Sequence, residues 1–231
     1  MSLVAIIGAM DEEVALIKGW LSDMSASSTA GCEFFLGELE NTSVVLLKSG
    51  IGKVNAAVST TLLLSKYAPD LVINIGSAGG FDPELNVGDV VISDAVVHHD
   101  VDVTAFGYAM GQVPNMPATF AADAQLIERA KKAVETLNTV QARVGLIGTG
   151  DSFMHDAERV AQVRETFPSL MAVEMEAAAV AQVCYKFSTP FVVVRALSDI
   201  AGKESPQSFE DFLQVAAKNS SLMIREMLKS H

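Results

Sequence analysis

KVNAAVSTTLLLSKYAPDLVINIGSAGG, residues 53–80, decides the fold of this 231-residue chain. Apolar residues recur at helical spacing from Lys53 to Tyr67, which predicts a helix with one buried face. The run Leu71–Ile75 is mostly apolar, which is typical of a strand buried on both faces of a sheet. Small residues follow at Gly76–Gly80 and predict a loop whose backbone N–H groups can approach a ligand closely. Helix, strand and loop in this order are the repeating unit of an α/β fold.

The same kinds of segment recur along the rest of the chain. Further apolar runs predict strands at Val4–Ile7, Val44–Leu47, Val90–Ile92, Val144–Ile147 and Phe191–Val194. Helical spacing predicts helices at 122–137, 157–167, 175–187 and 209–229. Because the strands are buried on both faces, helices must cover both faces of the sheet. Glu33–Leu39 and Val44–Lys48 flank a turn and predict a hairpin, so the sheet is mixed.

Length and composition predict one domain that spans residues 1–231. The chain has 28 Asp and Glu against 16 Lys and Arg, a formal charge of -12, which excludes nucleic acid and anionic membranes as expected partners. Two cysteines are too few for a disulfide scaffold, and Cys184 lies in an apolar stretch as a core thiol. The first apolar run ends at Gly8, too short for a signal peptide or a membrane span, so we expect a cytoplasmic protein.

Chemically active residues concentrate where predicted strands lead into helices, which is where open α/β sheets bind ligands. GAMDEE (8–13) ends a strand in three carboxylates, although acids also favour a helix N-terminus without any ligand. AVEME (172–176) places two acids in an apolar setting, where carboxylates need partners. RALSD (195–199) places an Arg, a Ser and an Asp at the end of the predicted strand Phe191–Val194. An ion pair of Arg195 with Glu174 would be structural, which leaves Asp199 for another task.

Other motifs are weak or negative signals. SGIGK (49–53) lacks the third glycine of a dinucleotide loop and the ending of a P-loop, so neither NAD nor ATP is indicated. GSAGG (76–80) fails the frame of a nucleophile elbow. Adjacent histidines, His98 and His99, point to opposite faces of a strand, so we expect no metal site. Three methionines beside these junctions are either core filler or the wall of a pocket for an apolar or sulfur-bearing group: Met10, Met154 and Met175.

One segment breaks the pattern, because residues 101–120 are rich in aromatic residues and Met but carry a single charged side chain, Asp102. Two interpretations stay open. The segment is either a loop folded over its own core, or a subunit interface that also closes a ligand pocket, since aromatic residues and Met are enriched at binding surfaces.

Seven motifs occur in a fixed order: GAMDEEV (8–14), KSGIGKVNAA (48–57), NIGSAGG (74–80), DVTAFGY (102–108), TGDSF (149–153), VEMEAAA (173–179) and RALSDIAG (195–202). In this order and spacing they resemble the bacterial methylthioadenosine/S-adenosylhomocysteine nucleosidases, within the nucleoside phosphorylase/hydrolase superfamily. The resemblance runs from Val4 to near the C-terminus. It implies a three-layer α/β/α sandwich with a twisted mixed central sheet, a homodimer, a small nucleoside substrate, and neither a metal nor an organic cofactor.

The resemblance also implies roles for individual residues. Glu13 activates water, Asp199 protonates adenine N7, and Glu176 holds the ribose hydroxyls. The other implied substrate-binding residues surround these three: Met10, Ile51, Ser77, Ala78, Gly79, Val103, Phe106, Tyr108, Pro114, Phe153, Met154, Met175, Arg195, Ser198 and Phe209. Phe106, Tyr108 and Pro114 belong to the implied interface, where one subunit lends an aromatic wall to the pocket of the other.

Two carboxylates with opposite duties suit the cleavage of a ribosyl–purine bond. The sugar gains positive charge and the purine gains negative charge, so an acid on the base and a base on water divide the work. Asp199 must hold a proton near neutral pH, and desolvation at the apolar end of its strand is expected to raise its pKa. Glu13 must be ionised to accept a proton from water. Glu176 adds stabilisation that grows as the ribose becomes cationic.

Three alternative functions differ in what they need. A purine nucleoside phosphorylase needs cations around phosphate, whereas the first loop here offers Glu13. A non-catalytic nucleoside-binding module would not need both acids. A Rossmann oxidoreductase would bind NAD, for which the glycine pattern is incomplete.

Overall fold

The computed structural model describes residues 2–138, 141–202 and 205–229. Within these ranges the strands are β1 (Leu3–Gly8), β2 (Ser22–Thr29), β3 (Cys32–Leu39), β4 (Thr42–Lys48), β5 (Leu71–Gly80), β6 (Val90–His98), β7 (Phe120–Ala121), β8 (Ala142–Thr149), β9 (Leu170–Glu174) and β10 (Phe191–Ile200). The helices are α1 (Asp11–Trp20), α2 (Lys53–Tyr67), α3 (Ala124–Leu137), α4 (Ala157–Thr166), α5 (Ala177–Phe187) and α6 (Ser205–Lys229).

One mixed sheet forms the centre of the molecule. β4, β1, β5 and β10 are neighbours in that order and run parallel, while β2, β3 and β4 form an antiparallel meander at one edge. At the other end β10 pairs antiparallel with β6, β6 and β8 run parallel, and β9 bridges β8 to β5. The sheet therefore curls until five of its strands, β5, β10, β6, β8 and β9, close a ring. The predicted mixed sheet and the β3–β4 hairpin are confirmed.

Helices cover both faces of the sheet, as predicted from strands that are apolar on both sides. Ala5 and Ile7 of β1 lie in a core cluster with α2 and α5. Their neighbours Val4 and Ile6 lie in a second cluster with α1, α3 and α6. Successive residues of a strand point to opposite faces, so this alternation produces three layers. Cys184 of α5 is fully buried and burial raises its pKa to about 12, which confirms the core thiol.

Two strands extend further than the sequence indicated. Residues 76–80 were predicted as a loop, but they continue β5 and pair with residues 195–200 of β10. The register shifts between Leu197 and Asp199, and β9 adds a short antiparallel pairing at Gly79 and Gly80. Because the small residues pair on two sides, they form sheet instead of a loop. This extension carries the carboxyl ends of β5 and β10 beyond their neighbours.

The segment 101–120 lies at the surface, with half of its residues exposed, and contains a single 3-10 turn, Thr104–Phe106. The side chain of Phe106 is 81% exposed, whereas Phe120 at the end of the segment is buried. The interpretation as a loop folded over its own core is therefore wrong for the turn at Phe106, whereas Gly111 is buried and Met116 packs against the core. In the parts of the chain that the structure describes, no helix is both long and apolar enough to cross a membrane.

Candidate active site

A cavity of about 240 Å³ opens at the carboxyl ends of the parallel strands, just below the roughly 300–1,000 Å³ of ordinary ligand pockets. Loops and strand ends from β1, β4, β5, β8, β9 and β10 and the first turns of α6 contribute to it. Its walls are Ala9, Met10, Glu13, Ile51, Ser77, Ala78, Gly79, Phe153, Val173, Glu174, Met175, Glu176, Ser198, Asp199 and Phe209. The three predicted catalytic carboxylates, Glu13, Glu176 and Asp199, therefore share one cavity.

Glu13 is held in place by both of its oxygens. It occupies the third position of α1, where Oε2 accepts hydrogen bonds from the backbone N–H groups of Ala9 (2.7 Å) and Met10 (3.2 Å). Oε1 accepts from the backbone N–H of Ser77 at 2.9 Å and from its hydroxyl at 3.2 Å. The acid thus caps the helix start, as acids favour. The same side chain also contacts β5 and lines the cavity, so Glu13 both caps the helix and belongs to the candidate site.

Glu176 lies directly before α5 and is almost fully buried. Its Oε1 accepts a hydrogen bond from the Gly52 backbone N–H at 2.8 Å, and its Oε2 lies 3.8 Å from Arg195 Nη2. Burial, reinforced by the nearby Glu174 carboxylate, raises the pKa of Glu176 to about 8. Arg195 and the Gly52 N–H lower the pKa, but they do not outweigh burial. Burial therefore favours the protonated form of this carboxyl group.

Glu174 is a cavity residue to which the sequence assigned only an ion pair. Its Oε2 accepts from the backbone N–H groups of Glu176 (2.9 Å) and Ala177 (2.8 Å), and Thr149 donates to Oε1. The predicted ion pair with Arg195 is confirmed at 2.5 Å. The VEMEAAA motif contained the signal, since two acids flanking a helix start in an apolar setting need separate partners.

Arg195 lies behind the cavity instead of lining it, although it was among the implied substrate-binding residues. Its guanidinium is fully buried and contacts Glu174, Glu176 and, at 2.9 Å, Asn74 Oδ1. A buried guanidinium requires such acceptors, and the two carboxylates supply them. Arg195 therefore acts on the cavity through Glu176.

Asp199 is buried in the extended part of β10, opposite Gly79 in the register. The Ser198 hydroxyl donates to its Oδ1 over 3.0 Å. A methyl group built on Gly79 would lie 3.2 Å from Asp199 Oδ2, so a side chain at position 79 would crowd that oxygen. The predicted support of Asp199 by Ser198 is thus present in the structure.

Apolar side chains form the mouth of the cavity. Ile51 is 50% exposed, and the rings of Phe153 and Phe209 meet edge to face with centroids 5.8 Å apart. Met10 and Met175 also line the cavity. Met154 lines a small adjoining recess together with Phe153, Met175 and Asp199. The methionines thus lie at the cavity, as the pocket interpretation predicted.

The ionisable groups that line the cavity are all acids. Of the described lining residues, four carry carboxylates, Glu13, Glu174, Glu176 and Asp199, and none carries a cation. Such a wall repels phosphate and suits a neutral ligand or one that becomes cationic.

His98 contacts Gln182 at 3.0 Å. Over the described ranges, no cluster of three or more His, Cys, Asp or Glu side chains could hold a metal ion.

Besides Arg195 behind the cavity and Met154 in the adjoining recess, four implied binding residues do not line the cavity of the single chain: Val103, Phe106, Tyr108 and Pro114. All four lie on the exposed 101–120 segment. In the single chain they therefore take no part in the cavity.

Comparisons with known proteins agree with this geometry. A model of the phosphorylase superfamily matches residues 3–229. A Marinomonas sp. (strain MWYL1) protein described as 5′-methylthioadenosine/S-adenosylhomocysteine nucleosidase is 72% identical over 231 residues, 100% of each chain. A Bacillus subtilis (strain 168) protein of the same description is 60% identical over 226 residues, 98% of each chain.

Solved structures give the same result. The Neisseria meningitidis nucleosidase in complex with methylthio-immucillin-A has a TM-score of 0.98 and 50% identity, with 100% of each chain covered. The Colwellia psychrerythraea 34H nucleosidase in complex with adenine has a TM-score of 0.96 and 51% identity, covering 98% of this chain and 94% of that one. The chain therefore belongs to the phosphorylase superfamily and, within it, to the family of 5′-methylthioadenosine/S-adenosylhomocysteine nucleosidases.

Proposed function

We propose that this protein hydrolyses the N-glycosidic bond of 5′-methylthioadenosine and S-adenosylhomocysteine, and of 5′-deoxyadenosine, to adenine and the 5′-substituted ribose. The observation that carries the proposal is the convergence of Glu13, Glu176 and Asp199, from distant parts of the chain, on one cavity. The described lining of that cavity has no cation. The names of the relatives and the adenine and inhibitor complexes of the structural neighbours support the substrate class.

In the proposed reaction Asp199 protonates N7 of the purine while the C1′–N9 bond breaks. The electron pair of that bond leaves with the base, so a proton at N7 neutralises the charge that develops there. Ser198 orients the carboxyl group through its hydrogen bond to Oδ1. Glu13, fixed by four hydrogen bonds, accepts a proton from the water that attacks C1′. Each of these two roles is worth about 10² to 10⁴ in rate.

Glu176 binds the ribose hydroxyls, and in its ionised form it stabilises the cationic sugar of the transition state. A carboxylate that interacts more strongly with the transition state than with the ground state raises turnover. Arg195 holds Glu176 from behind and offsets part of the repulsion from Glu174. The apolar mouth formed by Ile51, Phe153 and Phe209 contacts the 5′ substituent and the purine.

The proposal includes a homodimer in which Phe106, Tyr108, Pro114 and Val103 of one subunit complete the 5′ pocket of the other. Their exposed segment supports this arrangement, because a side chain as apolar as Phe106 is 81% exposed in the single chain. On α2 Val54 and Val58, one helical turn apart, are 73% and 47% exposed. Adjoining apolar surface of this kind is typical of protein interfaces. We further propose a single domain that acts in the cytoplasm without a metal or organic cofactor.

Product analysis tests the proposal. Purified protein is incubated with 5′-methylthioadenosine in phosphate-free buffer, and the products are separated by chromatography. We expect stoichiometric adenine and free 5-methylthioribose, with no increase in rate when phosphate is added. Adenine release that requires phosphate and yields a sugar 1-phosphate would establish the phosphorylase alternative instead. Binding without any adenine release would establish the non-catalytic binding module.

A further inference from the structure

Lys53, Asp100 and Asp151 have no role in the proposed chemistry, yet they form a ring of hydrogen bonds between three loops. The Lys53 backbone N–H donates to Asp151 Oδ1 over 2.8 Å, and the Asp151 backbone N–H donates to Asp100 Oδ2 over 3.0 Å. The Lys53 ammonium closes the ring by donating to both Asp100 oxygens, at 2.7 and 2.8 Å. We call these three residues the Lys53 ring.

Each member of the Lys53 ring is next to a segment that forms the site. Lys53 follows Gly52, whose backbone N–H donates to Glu176. Asp151 lies two residues before Phe153, which lines the cavity. Asp100 begins the segment that carries Phe106. The ring therefore fixes the relative positions of three pieces of chain that are far apart in sequence.

We propose that the Lys53 ring is a positioning device for Glu176: it holds the N-terminus of α2 so that the Gly52 N–H stays on the Glu176 carboxylate. The inference rests on the proposed function, because it assigns the device to the ribose-binding carboxylate. Asp151 is the central positioning residue, since it accepts from the α2 backbone and donates to Asp100.

The first backbone N–H groups of a helix have no partner within the helix and must find one elsewhere. At α2 two neighbouring groups find carboxylates on different loops: Gly52 N–H on Glu176 and Lys53 N–H on Asp151. Without Asp151 only the Gly52 N–H keeps its carboxylate partner, and Lys53 is held through its flexible side chain on Asp100. The side chains of the ring are 20%, 32% and 49% exposed, so its ion pair adds little stability. The Lys53 ring therefore acts on the geometry of the site, so we expect its loss to lower turnover more than it lowers the stability of the fold.

The test compares Asp151→Ala with Asp151→Asn. Asparagine keeps an oxygen that accepts from Lys53 N–H, whereas alanine removes it. With 5′-methylthioadenosine we expect kcat of Asp151→Ala to fall by up to about 100-fold, the cost of misplacing a catalytic contact by about an ångström. KM should change much less, and Asp151→Asn should restore most of kcat. Glu128→Gln, which removes an exposed ion pair on α3, is the matched control and should behave like the wild type.

Lys53→Met is the second variant, because it keeps the backbone N–H and removes only the ammonium. It should lower kcat less than Asp151→Ala does. If Asp151→Ala fails to fold, the kcat of Lys53→Met tests the inference in its place. Three results would overturn this inference without touching the proposed function. The first is a wild-type kcat in folded Asp151→Ala, and the second is an equal loss of kcat in Asp151→Ala and Asp151→Asn. The third, where Asp151→Ala does not fold, is a wild-type kcat in Lys53→Met. A wild-type protein that releases no adenine would overturn the proposed function and this inference with it.

Discussion

Gly76 lies where the buried Arg195 and Glu13 side chains both approach the β5 backbone. A β-carbon at this position would lie 2.2 Å from Arg195 Nη1 and 2.8 Å from Glu13 Oε1. Neither group can move away cheaply, because Arg195 is held by Glu174 and Glu13 by the Ser77 and Ala9 N–H groups. A single hydrogen atom in place of a side chain is therefore what allows two charged groups of opposite sign to share this edge of the cavity.

Gly76→Ala should destabilise the fold by about 1–3 kcal/mol, the usual cost of overpacking a buried site, and should abolish most turnover. Urea unfolding and the rate of adenine release measure the two effects. Gly19→Ala, in α1 with no atom within 4 Å of the new methyl group, is the control. It should stabilise the protein by about 0.5–1 kcal/mol, because alanine replaces glycine in a helix. Equal stability of the two variants would contradict the close approach.

The raised pKa of Glu176 makes a prediction about stability against pH. In the folded protein the carboxyl group holds its proton up to about pH 8, whereas the ordinary value is 4.5. The folded state thus binds more protons than the unfolded state between these limits, so stability decreases as pH rises through that window. The free energy of unfolding of the wild type, relative to Glu176→Gln, should fall from pH 5 to pH 8. An exposed control, Glu165→Gln, should show no such trend, and a constant difference for Glu176→Gln would contradict the raised pKa.

At the scale of elements, the sequence predicted most of those that bury apolar residues. β9 was missed although its Leu170, Ala172 and Val173 are buried, because this run was interpreted only as the junction before α5. The predicted start and end of α2 agree with the structure because apolar spacing defines the whole helix. β2 was not predicted, since SDMSASST has no apolar face and the strand is held at the exposed edge by pairing with β3. The extensions of β5 and β10 were missed because their pairing depends on residues more than one hundred positions apart.

The site was predictable to the extent that it follows from motifs at strand ends. Glu13, Glu176 and Asp199 stood out at three sequence junctions, the resemblance supplied their roles, and the structure brings them to one cavity. The sequence did not predict that Glu174 lines the cavity or that Arg195 lies behind it, because burial behind another side chain is a property of the packed structure. The Lys53 ring was missed for the same reason, since its members come from three distant loops.

Helix α3 offers a test at this scale. Its N-cap residue, Asp123, accepts hydrogen bonds from the backbone N–H groups of Gln125 and Leu126. Asp123→Ala should cost about 0.5–2 kcal/mol of stability, the usual value of a lost N-cap. Asp123→Asn keeps a capping oxygen and should lie close to the wild type in urea unfolding. A loss of equal size in both variants would show that the cap oxygen is not what stabilises the helix.

At the scale of the whole molecule, the account requires a second copy of the chain. A double variant, Val54→Glu with Val58→Glu, places charges on the exposed apolar face of α2 and should convert a dimer to a monomer in sedimentation equilibrium. Turnover should fall with it, because Phe106 and Tyr108 of the neighbour no longer complete the pocket. Met24→Glu, also on an exposed apolar side chain but on the edge strand β2, should leave the dimer intact. A monomeric wild type would contradict the proposed assembly.

The central claim is that two buried carboxylates divide the cleavage of one ribosyl–purine bond between them. The most direct measurement is turnover of 5′-methylthioadenosine by Glu13→Gln and Asp199→Asn in phosphate-free buffer, with affinity for the same nucleoside measured by calorimetry. We predict that both variants bind the nucleoside while kcat falls by about 10² to 10⁴ in each. A kcat close to that of the wild type in either variant would contradict the account.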